Sequence, residues 1–279
     1  MGPLYCGILD GIRNNSRIGE NQMIPYPHID PVIVRVGPFA VRWYGMMYLL
    51  GFWVSYLLIT NQMRKKGLDL GKDFLGSLYT YLFIGLLIGA RLGYVIFYNL
   101  SHYAAHPLEV FAIWQGGMSF HGGLIGSVAA GVYFCRKVHH DPWEIADLVV
   151  ATAPIALGLG RLGNFINGEL YGRVTDQPWA MVFPSGGPLP RHPSQLYELF
   201  FEGVVLFAVL WILKDRGFRP GVLMGIFLLL YGLFRFLIEF FREPDTQIGF
   251  ILGPFTMGHI LCALMILTGS ALVYLRKKA

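Results

Sequence analysis

The sequence predicts an all-α polytopic membrane protein, and two observations support that fold class. Hydrophobic residues make up 54% of the 279 positions and charged residues only 14%, with a mean hydropathy of +0.51, whereas soluble domains carry about 25% charged residues. Apolar runs of about 20 residues, the length that crosses a bilayer as a helix, also recur along the chain. Seven transmembrane helices are predicted, at residues 43–62, 74–98, 118–135, 145–165, 195–213, 222–241 and 257–275.

Basic residues determine the predicted orientation of these spans. Every lysine and several arginines fall in clusters that follow apolar runs, and every second loop lacks lysine. Because lysine and arginine concentrate in cytoplasmic loops, this pattern places the N-terminus outside and the C-terminus in the cytoplasm. The net charge of +5 therefore reflects topology, and no nucleic-acid partner is expected. The clusters are Arg64, Lys65, Lys66 and Lys72; Arg136 and Lys137; Lys214, Arg216 and Arg219; and Arg276, Lys277 and Lys278.

The chain divides at residue 43 into an N-terminal segment and a seven-helix domain that extends to residue 279. Residues 1–42 form a tail and an arm, in which prolines and alternating apolar residues favour an extended, interfacial segment. We expect residues 1–22 either to lie upstream of a true start at Met23 or to be a dispensable tail. The helical domain carries small extracytoplasmic head segments in its outer loops, which are residues 99–117, 166–194 and 242–256.

Glycines and cysteines have structural interpretations. One glycine set recurs every fourth residue in the second span and predicts close helix packing. Another set matches the GxGxxG pattern of dinucleotide-binding proteins, but it follows an apolar span instead of a βαβ strand, so we interpret it as packing as well. The cysteines show no CxxC spacing and predict neither a disulfide framework nor a metal site. These residues are Gly85, Gly89 and Gly93; Gly158, Gly160 and Gly163; and Cys6, Cys135 and Cys262.

Charged residues inside apolar spans are costly and usually mark a functional site. Tyr231, Arg235, Glu239 and Arg242 are spaced by four, four and three residues, which places them on one face of a helix. Arg161 lies at the end of the fourth span. Because arginine presents a planar fork of donors that suits phosphate, these arginines indicate that a phospholipid headgroup is handled near the outer face.

Further polar residues are candidates for a role beside the arginines. His121 is flanked by glycines, which leave its ring accessible as a base or ligand contact, although a hydrogen-bonded core histidine is the alternative. Glu198 and Glu202 lie one helical turn apart, where like charges repel unless cations are near. Arg191 and His192, directly before Pro193, are expected to supply those cations.

The run from Gly160 to Gly172, GRLGNFINGELYG, closely resembles the signature of bacterial prolipoprotein diacylglyceryl transferases. The resemblance extends from about residue 29 to the C-terminus and leaves out residues 1–22. Its other matching segments are WYG at 43–45, HGGL at 121–124, RHPSQLYE at 191–198 and the stretch from Tyr231 to Arg242.

The resemblance implies an enzyme of the bacterial inner membrane with its active site toward the periplasm. It would transfer the sn-1,2-diacylglyceryl group of phosphatidylglycerol to the thiol of the lipobox cysteine in prolipoprotein signal peptides, which is the first step of lipoprotein maturation. A thioether would form and glycerol phosphate would leave, with no cofactor and no metal. The expected partners are phosphatidylglycerol, prolipoprotein signal peptides and the lipid bilayer.

The resemblance also implies roles for particular residues. We expect His121 to act as the base that deprotonates the thiol and the arginines to stabilise negative charge on the leaving phosphate. Glu169 and Glu239 are expected to orient the arginines. The implied catalytic residues are His121, Arg161 and Arg235, and the implied substrate-binding residues are Tyr44, Asn164, Glu169, Gly172, Tyr231 and Glu239.

Two other classes of protein compete with this interpretation. A transporter or flippase for an anionic phospholipid would also place arginines near the outer face and use broken helices. It should carry polar residues into the cytoplasmic half of its spans, where this sequence has few, mainly Glu144 and Asp147. A structural scaffold would need neither Arg161 nor His121 nor Arg235.

Overall fold

The computed structural model describes residues 24–37, 39–68, 70–71, 73–112, 116–244 and 249–278. The predicted start at Met23 and the tail 1–22 lie outside these residues. The described chain is mostly helical. Its elements are β1 (Val32–Val36), β2 (Phe39–Arg42), α1 (Trp43–Lys65), α2 (Phe74–Tyr98), α3 (Leu100–Ala105), a 3-10 turn (Pro107–Phe111), α4 (Phe120–Lys137), α5 (Pro142–Val150), α6 (Ala153–Ile166), α7 (Ser194–Leu213), α8 (Val222–Glu239), β3 (Phe250–Leu252), β4 (Phe255–Thr256) and α9 (Met257–Lys278).

Several of these helices can cross a membrane. Within the described residues, α1, α2, α7, α8 and α9 are long and apolar enough, and α5 with α6 adds a sixth span if that bent pair counts as one. Helix α4, at the predicted third span, has 18 residues and includes His121, Arg136 and Lys137, which lower its hydropathy. The helical, multi-pass class is confirmed, whereas seven spans and the orientation of the termini stay predictions.

The fourth predicted span, residues 145–165, is divided into two helices. Helix α5 ends at Val150 and α6 begins at Ala153, followed by Pro154. Proline lacks a backbone N–H and disfavours helical conformation in the residue before it. A break at this point is therefore the local consequence of Pro154.

The chain folds into two compact units, one formed by residues 56–149 and the other by the described residues up to Ser55 and from Val150 onward. The 56–149 unit has an apolar core of residues from several helices. The second unit has one core beneath α7 and α8 and another around Tyr26. The first core contains Ile59, Phe74, Leu75, Leu78, Phe134, Cys135, Ile145 and Leu148; the others contain Val150, Ala151, Leu206, Leu210 and Leu223, and Tyr26, Phe165, Met181 and Phe183.

The glycines of α2 are a packing surface within the 56–149 unit. A Cβ atom on Gly89 would collide with the backbone carbonyl of Gly122 on α4, and one on Gly85 would collide with the carbonyl of Gly126. A Cβ on Gly93 would lie 2.8 Å from the Cα atom of Gly122. Because any side chain would force the two helices apart, the predicted stripe of small residues is confirmed.

Arg91 joins α2 to the loop that precedes α4. Its side chain is buried, and its guanidinium donates to the backbone carbonyls of Glu109 at 2.6 Å, Val110 at 2.7 Å and Gly116 at 2.6 Å. A buried arginine needs its donors satisfied. These bonds account for Arg91 as a structural residue of this loop.

The second glycine set packs α6 within the other unit. A Cβ on Gly158 would lie 2.9 Å from the Cα of Gly203 on α7, and a Cβ on Gly163 would lie 3.0 Å from the ring of Tyr44 on α1. Backbones this close exclude larger residues. The interpretation of the GxGxxG pattern as packing is confirmed.

The arm before α1 is extended, as predicted, and anchors the end of α6. Strands β1 and β2 form an antiparallel hairpin. Upstream of it, the hydroxyl of Tyr26 donates to the carbonyl oxygens of Phe165 at 2.6 Å and Ile166 at 3.0 Å. Because the last carbonyls of a helix lack intrahelical partners, Tyr26 stabilises the C-terminus of α6 beside the polar turn described below.

Candidate active site

Helix α7 buries two glutamates one turn apart. Glu198 and Glu202 are both 0% exposed, and the turns at Leu199–Val205 are π-helical, a distortion that is frequent at functional sites. An ionised carboxylate inside an apolar bundle requires cationic partners. Those partners come from α6 and from the C-terminal end of α8.

Glu198 is shared by three arginines. Its Oε2 atom lies 3.1 Å from Nε of Arg161, on α6. Its Oε1 atom lies 3.0 Å from Nη1 of Arg235 and 2.9 Å from Nη1 of Arg242. The two arginines that the sequence singles out therefore meet at a single carboxylate, although 74 positions separate them in the chain.

Glu239 is the second carboxylate that orients these arginines. Its Oε2 atom lies 2.8 Å from Nη2 of Arg235 and 3.7 Å from Nε of Arg242. Its Oε1 atom accepts a hydrogen bond from the hydroxyl of Thr256 at 2.6 Å. The predicted common face of Arg235, Glu239 and Arg242 is confirmed by these contacts.

The guanidinium groups stay partly accessible while their carboxylates are buried. The side chains of Arg161, Arg235 and Arg242 are 20%, 16% and 12% exposed, whereas those of Glu198 and Glu202 are 0% exposed. Donors that keep an accessible edge can bind a further oxyanion, and the planar guanidinium fork matches the oxygens of a phosphate. The arrangement is therefore chemically suited to an anionic headgroup.

The turn after α6 positions Asn164 and Glu169 together. The amide groups of Asn164 and Asn167 donate to Oε1 of Glu169 at 2.8 and 3.1 Å. Leu170 has a left-handed backbone (φ +57°), which costs a leucine about 1–2 kcal/mol, and Gln195 stabilises the turn by donating to the carbonyl of Glu169 at 2.6 Å. The hydrogen-bond donors to Glu169 are thus asparagines. The carboxylates in close contact with the arginines are Glu198 and Glu239, and Glu202 lies 3.8 Å from Arg161.

Gly172 lies where two chain segments meet beside the cluster. Its N–H donates to the carbonyl of His192 at 2.8 Å, and it pairs with Arg242 as an isolated antiparallel bridge. A Cβ atom on Gly172 would collide with the carbonyl oxygen of Phe241 and lie 2.7 Å from Cβ of His192. Only glycine fits, so its role in the structure is to hold the backbone of Arg242.

The two predicted tyrosines lie on different helices of the same unit. The hydroxyl of Tyr44 on α1 is 3.2 Å from that of Tyr48, and the Tyr44 ring covers Gly163. Tyr231, on α8 one turn before Arg235, stacks on Phe227 with ring centroids 5.8 Å apart. Their hydroxyls are candidates for substrate hydrogen bonds, and that assignment stays a prediction.

His121 belongs to the 56–149 unit. It is exposed and lies in the first turn of α4, where the hydroxyl of Ser119 accepts a hydrogen bond from the N–H of Gly122 at 3.3 Å. Ser119 is therefore an N-cap, the usual structural role for such a residue. The proposed base and the arginine cluster belong to different units, and the role of His121 stays a prediction.

The expected partners of Glu198 and Glu202 were wrong. In the described chain, Nη1 of Arg191 pairs with Oε2 of Glu243 at 3.0 Å, and Nδ1 of His192 lies 3.1 Å from the hydroxyl of Tyr197. Burial lowers the pKa of His192 below its usual value, so it supplies no cation at neutral pH. The cations come from Arg161, Arg235 and Arg242 instead.

Sequence reasoning left some residues of the cluster out of the site. The sequence did indicate Glu198 and Glu202, since two carboxylates one turn apart in an apolar span need nearby cations. The sequence also indicated Arg242, because this arginine follows Glu239 by three residues. Nothing in the sequence indicated Thr256, because its contact with Glu239 depends on how α8 packs against β4, directly before α9.

The fold and the site together define a multi-pass helical membrane protein with an arginine–carboxylate cluster at the ends of its helices. Among the described residues, no group of three or more histidine, cysteine or acidic side chains is arranged to hold a metal ion. The chain belongs to the prolipoprotein diacylglyceryl transferase family, whose model matches residues 31–275. The resemblance seen in the signature is thereby confirmed.

Relatives from several bacteria match nearly the whole chain. Proteins named phosphatidylglycerol–prolipoprotein diacylglyceryl transferase are 53% identical over 250 residues in Geobacter sulfurreducens and 52% identical over 257 residues in Desulfotalea psychrophila. Another from Vibrio vulnificus is 50% identical over 252 residues. Each alignment covers 90% of this chain, and 96%, 94% and 92% of the respective relative.

Proposed function

We propose that the protein transfers the sn-1,2-diacylglyceryl group of phosphatidylglycerol to the lipobox cysteine of prolipoproteins. The observation that carries this proposal is the convergence of three partly accessible guanidinium groups on Glu198. The names of relatives that are about 50% identical over most of the chain support the same substrates. We place the reaction in the bacterial inner membrane, with the site toward the periplasm and the signal peptide entering from the bilayer.

The reaction is a displacement at carbon. The thiolate sulfur of the peptide attacks the carbon of the diacylglyceryl group that bears the phosphate oxygen. A C–S bond forms as the C–O bond breaks, and the electron pair of that bond stays on the oxygen of the departing glycerol phosphate. The thiol proton goes to a base, because the thiolate is the effective nucleophile. We assign that base to His121.

Arg161 and Arg235 stabilise the leaving group. The phosphate carries one negative charge in the lipid and gains a second as the C–O bond breaks, so donors directed at its oxygens bind the transition state more strongly than the ground state. Removal of one such donor in a water-poor site lowers a rate by about 10²–10³-fold. Glu198 and Glu239 orient the donors without neutralising all of them.

The remaining predicted residues bind and position the lipid. Asn164 and Tyr231 provide hydrogen bonds for the glycerol hydroxyls or the phosphate oxygens, and Tyr44 and Glu169 border the same turn. Gly172 acts indirectly, through the backbone of Arg242. These assignments rest on placement in one unit and on the chemistry of each side chain.

The test is formation of the adduct. Purified protein is incubated with phosphatidylglycerol and a lipobox peptide, and the peptide is examined by mass spectrometry for a diacylglyceryl thioether. Wild type should form it, and Arg161→Gln should form about 10²–10³-fold less. Arg216→Gln is the matched control, because Arg216 is an exposed arginine outside the cluster.

Absence of any adduct from the wild type would reject the transferase assignment. A flippase would move phosphatidylglycerol between leaflets without modifying the peptide, and a scaffold would do neither. Equal loss of activity in Arg161→Gln and Arg216→Gln would separate the reaction from the arginine cluster. The assay therefore distinguishes a transferase from the other two classes of protein and tests the cluster in the same experiment.

A further inference from the structure

Glu202 has no role in the mechanism above, yet it is the most isolated carboxylate of the cluster. It is 0% exposed, and among the described residues neither carboxylate oxygen has a hydrogen-bond partner. Its nearest cation is Arg161, whose Nη2 atom lies 3.8 Å from Oε2. Glu198, one turn earlier on the same helix, takes the close contacts of all three arginines.

Besides its neighbour Glu198, groups from three helices interact electrostatically with Glu202. Helix α6 contributes Arg161, and the α8 region contributes a tyrosine hydroxyl and two more arginines. Helix α9 contributes a thiol. These groups are Tyr231, Arg235, Arg242 and Cys262.

The charge of the cluster depends on whether Glu202 carries a proton. The three arginines are opposed by Glu198 and Glu239, so a neutral Glu202 leaves a net charge of +1 and an ionised Glu202 leaves zero. Burial without hydrogen bonds opposes ionisation of Glu202, whereas the three arginines favour it. A further negative charge at the arginines therefore shifts this balance toward the protonated form. A phosphodiester that enters the cluster adds one negative charge, which the net charge of +1 left by a neutral Glu202 would balance.

We infer that Glu202 holds the proton that accompanies binding of the lipid phosphate, so that an anionic phosphodiester and a proton bind to the cluster together. This inference rests on the proposed function, because it takes the lipid phosphate to bind at Arg161 and Arg235. Glu202 touches neither the lipid nor the thiol. It is a positioning residue that adjusts the charge experienced by the guanidinium groups.

The sign of the linkage follows from the charges. Protonated Glu202 leaves the arginines free to attract the phosphate, whereas ionised Glu202 opposes it. Affinity for the lipid therefore falls as pH rises, by about tenfold per pH unit over the range in which one proton is taken up. A glutamine at position 202 mimics the protonated carboxyl and should bind the lipid equally well across that range.

The experiment measures lipid binding as a function of pH. Dihexanoyl phosphatidylglycerol is titrated calorimetrically into the detergent-solubilised protein at a series of pH values from about 5 to about 9, so that a change in affinity on either side of neutrality is measured. Repeating the titration in two buffers of different ionisation enthalpy counts the protons bound. Dihexanoyl glycerol, which lacks the phosphate, is the ligand control and should show no proton uptake.

The matched variants are Glu202→Gln and His192→Gln. We expect the wild type and His192→Gln to lose affinity about tenfold per pH unit and to take up one proton per lipid. Glu202→Gln should show neither effect. A pH-dependent affinity that persists in Glu202→Gln, or a wild type that binds the lipid with no proton uptake anywhere in the range, overturns the inference.

Two further measurements keep the result interpretable. If Glu202→Gln does not fold, as thermal unfolding would show, the wild-type proton count decides alone. The transferase assay is run in parallel at each pH. No adduct from the wild type would overturn the proposed function, whereas normal transfer combined with proton-independent lipid binding would overturn only the role of Glu202.

Discussion

Glu198→Gln is the substitution that tests the cluster most directly. The change keeps the size of the side chain but removes the charge shared by three arginines. An amide presents one acceptor and one donor, so whichever way it turns, an NH₂ group must face either Arg161 at 3.1 Å or Arg235 and Arg242 at about 3.0 Å. At least one guanidinium is then left opposite a donor.

The size of the effect follows from burial. Removal of one partner from a buried ion pair typically destabilises a protein by about 3–5 kcal/mol. The arginines here retain 12–20% exposure, and water screens part of that cost, so we expect about 2–3 kcal/mol in the free energy of unfolding. Transfer should fall by about 10²-fold or more, since displacement of a catalytic group by about 1 Å has that effect.

Glu202→Gln is the matched control for this prediction. It alters the same residue type on the same helix with the same complete burial, but its oxygens accept no hydrogen bonds within the described residues. Thermal unfolding in detergent gives the stability difference, and mass spectrometry of the lipobox peptide gives the rate. Equal destabilisation by Glu198→Gln and Glu202→Gln would refute the reasoning, because pairing rather than burial is its basis.

Three further predictions concern backbone packing, acid stability and the base. Gly172→Ala should lose about 1–3 kcal/mol of stability by overpacking against Phe241 and His192, whereas Gly76→Ala, with open space around it, should lose none in thermal unfolding. Burial lowers the pKa of His192, so the contribution of His192 to the free energy of unfolding should be complete above the unfolded pKa of about 6.5 and should decline as pH falls below that value. His192→Gln should remove this decline. A pH dependence of unfolding that is the same in the variant and in the wild type would contradict the prediction. His121→Gln should fold yet lose thioether formation at neutral pH, and substantial activity would assign the base elsewhere.

The positions of the long helices were predictable from sequence because a bilayer forces the backbone to satisfy its hydrogen bonds within each span. Helix α2 was expected at 74–98 and runs from Phe74 to Tyr98, and α7 was expected at 195–213 and runs from Ser194 to Leu213. The break before Pro154 was missed because hydropathy averages over a window and does not register a single proline. Hydropathy likewise does not report the π-helical turns within α7.

The site was predictable only where its contacts are local. The pairing of Arg235 with Glu239 follows from a spacing of four residues on one helix. The convergence of Arg161 and Arg242 on Glu198 depends on how α6, α7 and α8 pack, which spacing does not encode. For the same reason, nearness in sequence wrongly assigned Arg191 and His192 to the glutamates of α7.

The sharing of Glu198 by three arginines has a consequence for turnover. A phosphate that arrives at these guanidinium groups exchanges one acceptor for another, so much of the attraction it gains is offset by contacts with the glutamate that it weakens. Tight capture of the lipid, or of the more highly charged product, would slow each catalytic cycle. A resident carboxylate that competes for the same donors provides a way to expel glycerol phosphate once the thioether has formed.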